Sequence, residues 1–544
     1  MHRCLKLQEI LRIIFEYSLP VKKAGNGREV SKDTPSLARL ARTCRTFQDP
    51  ALDVLYAGLK SIEPLFLCIP DFIVTRESKI FDYTFEHEPS RQMTTEDWET
   101  FLRYSSRVRA LGVANDGDEH PTLPVSLYEE LCSKWDPSNP PFPRLRRLRW
   151  QELRPETFPL LRPSIHLDLP SLCPNLKKLF FFWTDEKNIP ERPTLSIISD
   201  HLCADKWNEL EAFGCGLELD QKARTALARM KSLQQLCLRM TSVHPHYDPG
   251  FPALRHLNLI SDNLIPYIDF LRHSLTGDQI LHSVRLVSTN MANSASWAEM
   301  IELLAKRCSP TGVTEIDISD YSFAPDYLGE PIQSDPIPIS IAPLIFPCLT
   351  ALVVQPSGLH VALNDDLVHS IASTCTLLKH LELGTRHQAL DTPSTVTLKK
   401  GLGALIQNCR GLETLAIVLD ARNTKVSDIL PDEFTGSEIV FSNTLITSLD
   451  LGSSPIVTSD PLVPPSEDPV RGIATFIARI LPNVADISSE AGTSQEARIY
   501  GTTWTKVAAI VKDIATRQRQ ETNGPENYES IWTTLFLPNS DIML

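Results

Sequence analysis

The sequence has no Cys-x-x-Cys pair and no Asn-x-Ser/Thr acceptor, although twelve cysteines are scattered through its 544 residues. The first absence removes the spacing of zinc knuckles and dithiol redox motifs, and the second removes surface N-glycosylation. Also missing are a Gly-x-Ser-x-Gly elbow, a His-Glu-x-x-His run and the protein-kinase signature, so the common hydrolase, zinc-protease and phosphotransfer frames have no carrier. The glycine pairs Gly214-Cys215-Gly216 and Gly401-Leu402-Gly403 are followed by neither a third glycine nor Lys-Ser/Thr. They suit close packing better than a phosphate cradle. No block of like charge exceeds a few residues, and the net charge of −14 disfavours general nucleic-acid binding.

Long apolar runs able to span a membrane are absent too. Residues 336 to 364 carry no Asp, Glu, Lys or Arg, but prolines at 336, 338, 343, 347 and 356 interrupt any helix there. A loop running into a strand is expected instead. His2, Arg3, Cys4 and Leu5 lead straight into an amphipathic pattern, without the apolar core and small-residue cleavage site of a secretory leader. Most cysteines stand beside apolar positions, where the side chain acts as a small buried hydrophobe. These features set the expectation of a reducing compartment, cytoplasmic and/or nuclear.

What is present is a recurring phrase, Leu-x-x-Leu-x-Leu or a close variant, in twelve or thirteen copies. It occurs as FPRLRRLRW ending at Trp150, CPNLKKLFF ending at Phe181, MKSLQQLCL ending at Leu238 and FPALRHLNL ending at Leu259. FPCLTALVV, CTLLKHLEL and CRGLETLAI follow, ending at Val354, Leu383 and Ile417, and weaker copies centre on Leu111, Phe213, Val284, Ile316, Leu449 and Ile487. Successive copies lie about 21 to 38 residues apart. Within a copy the last residues alternate, so Leu381 and Leu383 face one way while His380 and Glu382 face the other. One such strand cannot hide its apolar face, and stacking of neighbours is required. Helical spacing precedes several copies, in WAEMIELLAKRC, DLVHSIASTC, LKKGLGALIQNC and RGIATFIARI. That order predicts parallel strands with helices between them.

The pattern resembles the leucine-rich repeats of the ribonuclease-inhibitor-like type, especially those with Cys or Pro just before the first leucine. Cys375, Cys409, Cys173 with Pro174, and Pro252 stand near that place, whereas the asparagine expected after the strand is mostly absent and Asn263 is displaced. The resemblance implies an α/β solenoid, with parallel strands inside and helices outside, over residues 105 to 490. A doubly wound parallel sheet is the competing architecture. About a dozen strands exceeds its usual size.

The opening of the chain does not share the repeat. Leu7, Ile10, Leu11, Ile14 and Phe15 form one helical stripe, and a polar segment then interrupts it. Thr34-Pro35 and Asp49-Pro50 provide start signals for two more short helices, the first carrying Leu37, Leu40, Ala41, Cys44 and Phe47 and the second Leu52 and Leu55. Glu9-Ile10-Leu11 with Ile14-Phe15, together with LARTCRTFQDPALDVLY, resembles the F-box as found in fungal F-box-like proteins. Lys6 and Leu7 stand where that family has a Leu-Pro pair. The expected organisation is an F-box-like helical module at 1–58, a connecting segment at 59–104, the repeat solenoid at 105–490, and a C-terminal capping helix and tail at 491–544.

An F-box followed by leucine-rich repeats implies a non-catalytic substrate receptor of a Skp-cullin-F-box ubiquitin ligase. By that resemblance Leu7, Ile10, Leu11, Ile14, Phe15, Leu37, Leu40, Cys44, Phe47 and Leu52 would contact the Skp-family adaptor, linked in turn to the cullin scaffold. The repeats would hold a protein target, with no catalytic residue, metal or cofactor, no nucleic acid and no membrane. Reading outward along the strands places Arg147, Arg149, Phe180, Phe182, Arg239 and Arg285 on an early, cationic and aromatic target-binding face. Glu315, Asp317, Glu382 and Asp450 follow on later strands. A leucine-rich-repeat interaction scaffold without a ligase role is the alternative, and an unrecognised hydrolase or transferase is a third reading. His244, His246 and Asp248 could supply part of a zinc site, but a solvent-exposed loop is the plainer reading. PLVPPSEDP near Pro461 suits a surface loop or a polyproline ligand.

Overall fold

The computed structural model describes residues 7–18, 34–70, 91–112, 134, 136, 138–152, 169–183, 193–241, 250–275, 280–290, 292–320, 338–356, 359–384, 394–424, 441–457, 468–489 and 495–522. Two compact units divide the chain, with the crossover near residue 260. In the first unit seven strands follow one another: β1 Gly58–Leu59, β2 Ala110–Leu111, β3 Arg147–Glu152, β4 Lys178–Trp183, β5 Ala212–Glu218, β6 Gln235–Met240 and β7 His256–Ser261. The second holds β8 Ser283–Ser288, β9 Glu315–Asp320, β10 Ala351–Gln355, β11 His380–Leu383, β12 Thr414–Ile417, β13 Ser448–Asp450 and β14 Asp486–Ser488. Neighbours are parallel, and strand order within each unit is sequence order. A doubly wound sheet reverses its order at a switch point; neither unit does, and each is a solenoid-like α/β stack.

The repeated phrase sets the register. Leu111, Leu148, Leu179, Phe213 and Leu236 stand opposite one another along the first unit. Val284, Ile316, Leu352, Leu381, Leu415, Leu449 and Ile487 do so along the second. All of these side chains but the half-buried Ile487 are buried, so stacking removes the apolar face of strand after strand from water. Most strands are entered by the same turn. The amides of Lys379 and His380 both donate to the carbonyl of Thr350, at 2.7 and 3.0 Å, and those of Glu413 and Thr414 both donate to Lys379. Equivalent pairs join Arg109 to Arg146 and Arg147, and His282 to Thr314 and Glu315. The backbone groups that a turn would leave bare are thereby paired repeat by repeat.

The helices read from the sequence form where the spacing places them: Ser294–Arg307, Asp365–Thr374 and Pro469–Ile480, with a wide turn at Leu398–Leu402 running into Gly403–Asn408. Asn293, Asn364 and Asp468 each cap one by accepting from a backbone amide inside its first turn. Cys375 and Cys409 fill the corner ahead of their strands, fully buried. Burial pushes the first thiol up to about 12 and the second to about 11, so both are held neutral as packing groups.

Three helices precede the sheet: α1 Gln8–Ser18, α2 Thr34–Thr43 and α3 Arg45–Leu55. Leu11, Phe15, Leu37, Ala51 and Val54 make their common core, with Leu40, Ala41, Phe47 and Leu55 packed against it. Immediately after α3, Gly58–Leu59 enters the sheet by pairing with Ala110–Leu111. At the other end the helix Gln495–Thr522 buries Trp504, Val507, Val511 and Ala515, one helical stripe. Its Trp504 Nε1 donates to the carbonyl of Ser454 at 2.8 Å.

Candidate functional site

In the N-terminal module the apolar residues of α1 divide between two faces. Leu11 and Phe15 are 1% and 5% exposed and point into the module, where Phe15 meets the edge of Phe47 with ring centroids 5.5 Å apart. Leu37 is fully buried beside them. Ile10, Leu40, Cys44, Phe47 and Leu52 are half-buried. The opposite face of α1 shows Ile13 and Tyr17 to solvent, at 49% and 85%, and Ile14 at the margin of the core stripe and Leu7 just ahead of the helix are exposed as well. Of the ten residues named for an adaptor contact, Leu11, Phe15 and Leu37 thus serve the module's own core. Leu7 and Ile14 of the ten are exposed, and so are Ile13 and Tyr17, which the stripe reading passed over.

The module is pinned to the first strands by arginines. Arg107, in the turn leading to β2, donates to a carboxylate oxygen of Asp49 at 2.7 Å, to the carbonyl of Asp49 at 3.1 Å and to the carboxylate of Asp53. Arg109 lies 3.7 Å from Glu16 of α1. A guanidinium forked over one helix in this way fixes orientation as well as proximity.

On the strand face of the first unit, Arg147 is exposed and stands opposite Lys178, while half-buried Arg149 stands opposite half-buried Phe180. Next in that row comes Gly214, and a Cβ there would lie 2.5 Å from a Phe180 ring carbon. Its missing side chain makes room for the ring. Phe182 belongs to the same strand, although its side chain lies outside the described residues. Arg239 pairs across β5 with Glu218, past an irregularity in the ladder. Arg285 falls in the second unit, where its Nε sits 3.0 Å from Asp317 Oδ2.

The strand face of the second unit carries a depression of about 310 Å³, lined by Ser283, Arg285, Glu315, Asp317, Ala351, Val353, His380, Glu382 and Thr414. Register explains the shape: Ala351 stands between Glu315 and His380, and Val353 between Asp317 and Glu382. Strand β10 therefore forms a low floor between two taller rows. Arg285 answers Asp317, and the His380 ring shares a 3.0 Å hydrogen bond with Thr414, whereas Glu315 and Glu382 have no side-chain partner among the described residues.

His244, His246, Asp248 and the proline-rich segment near Pro461 lie outside the described residues. Among those described, no group of three or more His, Cys, Asp or Glu is arranged to hold a metal ion, and no helix is long and apolar enough to cross a membrane. Compared with known proteins, the chain matches no family model and no curated protein.

Proposed function

We propose that the protein is a non-catalytic receptor subunit of a Skp-cullin-F-box type ubiquitin ligase, with α1–α3 as the adaptor-binding module and the strand faces as the target-binding surface. One observation carries the reading. A three-helix module with a closed core of its own keeps a second apolar face on α1 exposed, and that module is joined directly to a stack of parallel strands. An apolar helix face left uncovered by its own domain suits a partner protein. Tethering a target near a conjugating enzyme raises the effective concentration of its lysines, so such a receptor accelerates transfer without making a bond itself.

The arginine anchor from Arg107 to Asp49 and Asp53 also favours a second reading, in which the helices cap the strand stack of an interaction scaffold. Co-expression with a Skp-family adaptor separates the two. A receptor brings the adaptor through purification in near-equal amount, and a scaffold leaves it behind.

A further inference from the structure

We infer that the depression over β10 is a docking groove for an extended, arginine- or lysine-bearing segment of a partner protein, an inference that rests on the receptor reading and names the chemistry of its target. Two independent features select this occupant. The first is shape. Ala351 and Val353 set a short, partly exposed apolar floor, and the rows Glu315/Asp317 and His380/Glu382 rise on either side of it. Rows flanking one strand are about 10 Å apart, two strand spacings, and the volume of about 310 Å³ is small. That fits one or two long side chains lying along the floor better than it fits a whole helix.

The second is charge. Arg285 is the cation lining the groove, and it is engaged with Asp317. Glu315 on one wall and Glu382 on the other are without partners among the described residues, so the groove presents two uncompensated carboxylates across an apolar base. Arginine and lysine match that arrangement in both parts. Their methylene stems cover apolar surface while the cationic head seeks an acceptor, and a guanidinium can bridge acceptors on two sides. An acidic or phosphorylated segment would meet repulsion from both walls.

The test is fluorescence anisotropy with the full chain and a labelled peptide alternating arginine and glycine. Glu315→Gln with Glu382→Gln removes the two wall charges, one exposed and one half-buried, and thermal melting verifies that the fold is kept. A matched control, Glu302→Gln with Asp366→Asn, removes two carboxylates from outer helices. The groove variant is expected to lose at least about tenfold in affinity, with the control unchanged and a glutamate-glycine peptide not binding. Equal affinity of parent and groove variant would overturn the inference, as would an equal loss in the control. Displacement of the peptide by spermine at comparable concentration would overturn it in favour of a small polycation. A chain that binds the peptide as stated yet leaves the adaptor behind would sink the receptor reading alone.

Discussion

Leu381 of β11 stands opposite Leu415 of β12 in parallel register, and both side chains are buried. They occupy the same place in successive repeats, 34 residues apart in sequence, and each closes the core over the other.

Replacing Leu381 by Ala would therefore open a cavity between two repeats. The expected cost is about 2 to 5 kcal/mol, and Leu381→Asp should cost more because a buried charge there has no partner. Because each repeat leans chiefly on its neighbours, the loss should spread from β11 to β10 and β12 before it reaches β14. Hydrogen exchange resolved along the chain checks this. Uniform protection in the Ala variant would mean that the ladder is not the unit of stability.

Arg107 supports a second expectation. Its side chain is largely buried and reaches Asp49 and Asp53 on α3. Arg107→Ala leaves those two carboxylates with their principal partner removed, at a cost of about 1 to 3 kcal/mol. Amide exchange should rise in α3 and in the β1–β2 pair, while strands β9 to β12 keep their protection. Unaltered exchange in α3 would show that the anchor contributes nothing.

A third concerns acid. Asp97, in the first turn of the helix Thr95–Ser105, is held well below the usual carboxylate range, chiefly by hydrogen bonding to Arg91 and further by the amide and hydroxyl of Thr94, against an opposing effect of burial. The folded pKa lies below the unfolded value of about 3.9. Its stabilisation is consequently complete above that value and is lost as pH falls through and below it. Asp97→Asn should remove this acid sensitivity and weaken the capping box at neutral pH. Exchange rates of residues 95–105 measured from pH 6 down to about 3 test it; parallel profiles for parent and variant would contradict the assignment.

Much of the strand stack was legible because the phrase is local: alternation in six residues fixes which side chains go inward. Even weak copies such as those at Phe213 and Ile316 fall on the buried ladder. The pair Gly58–Leu59 was not legible, since two residues carry no period, and its place in the sheet comes from pairing with Ala110–Leu111. In α1 the stripe was visible but its occupant was not. Sequence alone does not say that Val54 and Leu37, rather than a partner, cover Leu11 and Phe15. The groove was half visible. Glu315, Asp317 and Glu382 read as outward-facing, yet the low floor emerges only when Ala351 and Val353 are set between them by register. Likewise Arg285 read as part of the cationic target-binding face until register brought Asp317 opposite it.

The two faces of α1 give the most direct test of the receptor account. Purified adaptor is titrated against the parent chain, against Ile13→Asp with Tyr17→Ala on the exposed face, and against Leu11→Ala in the module core. The account predicts that the exposed-face variant melts like the parent but binds the adaptor at least about tenfold more weakly, since central apolar anchors contribute about 2 kcal/mol or more. Leu11→Ala should instead lower the stability of the module by about 2 to 5 kcal/mol. A parent chain that gives no binding signal, or an exposed-face variant that binds as tightly as the parent, would contradict it.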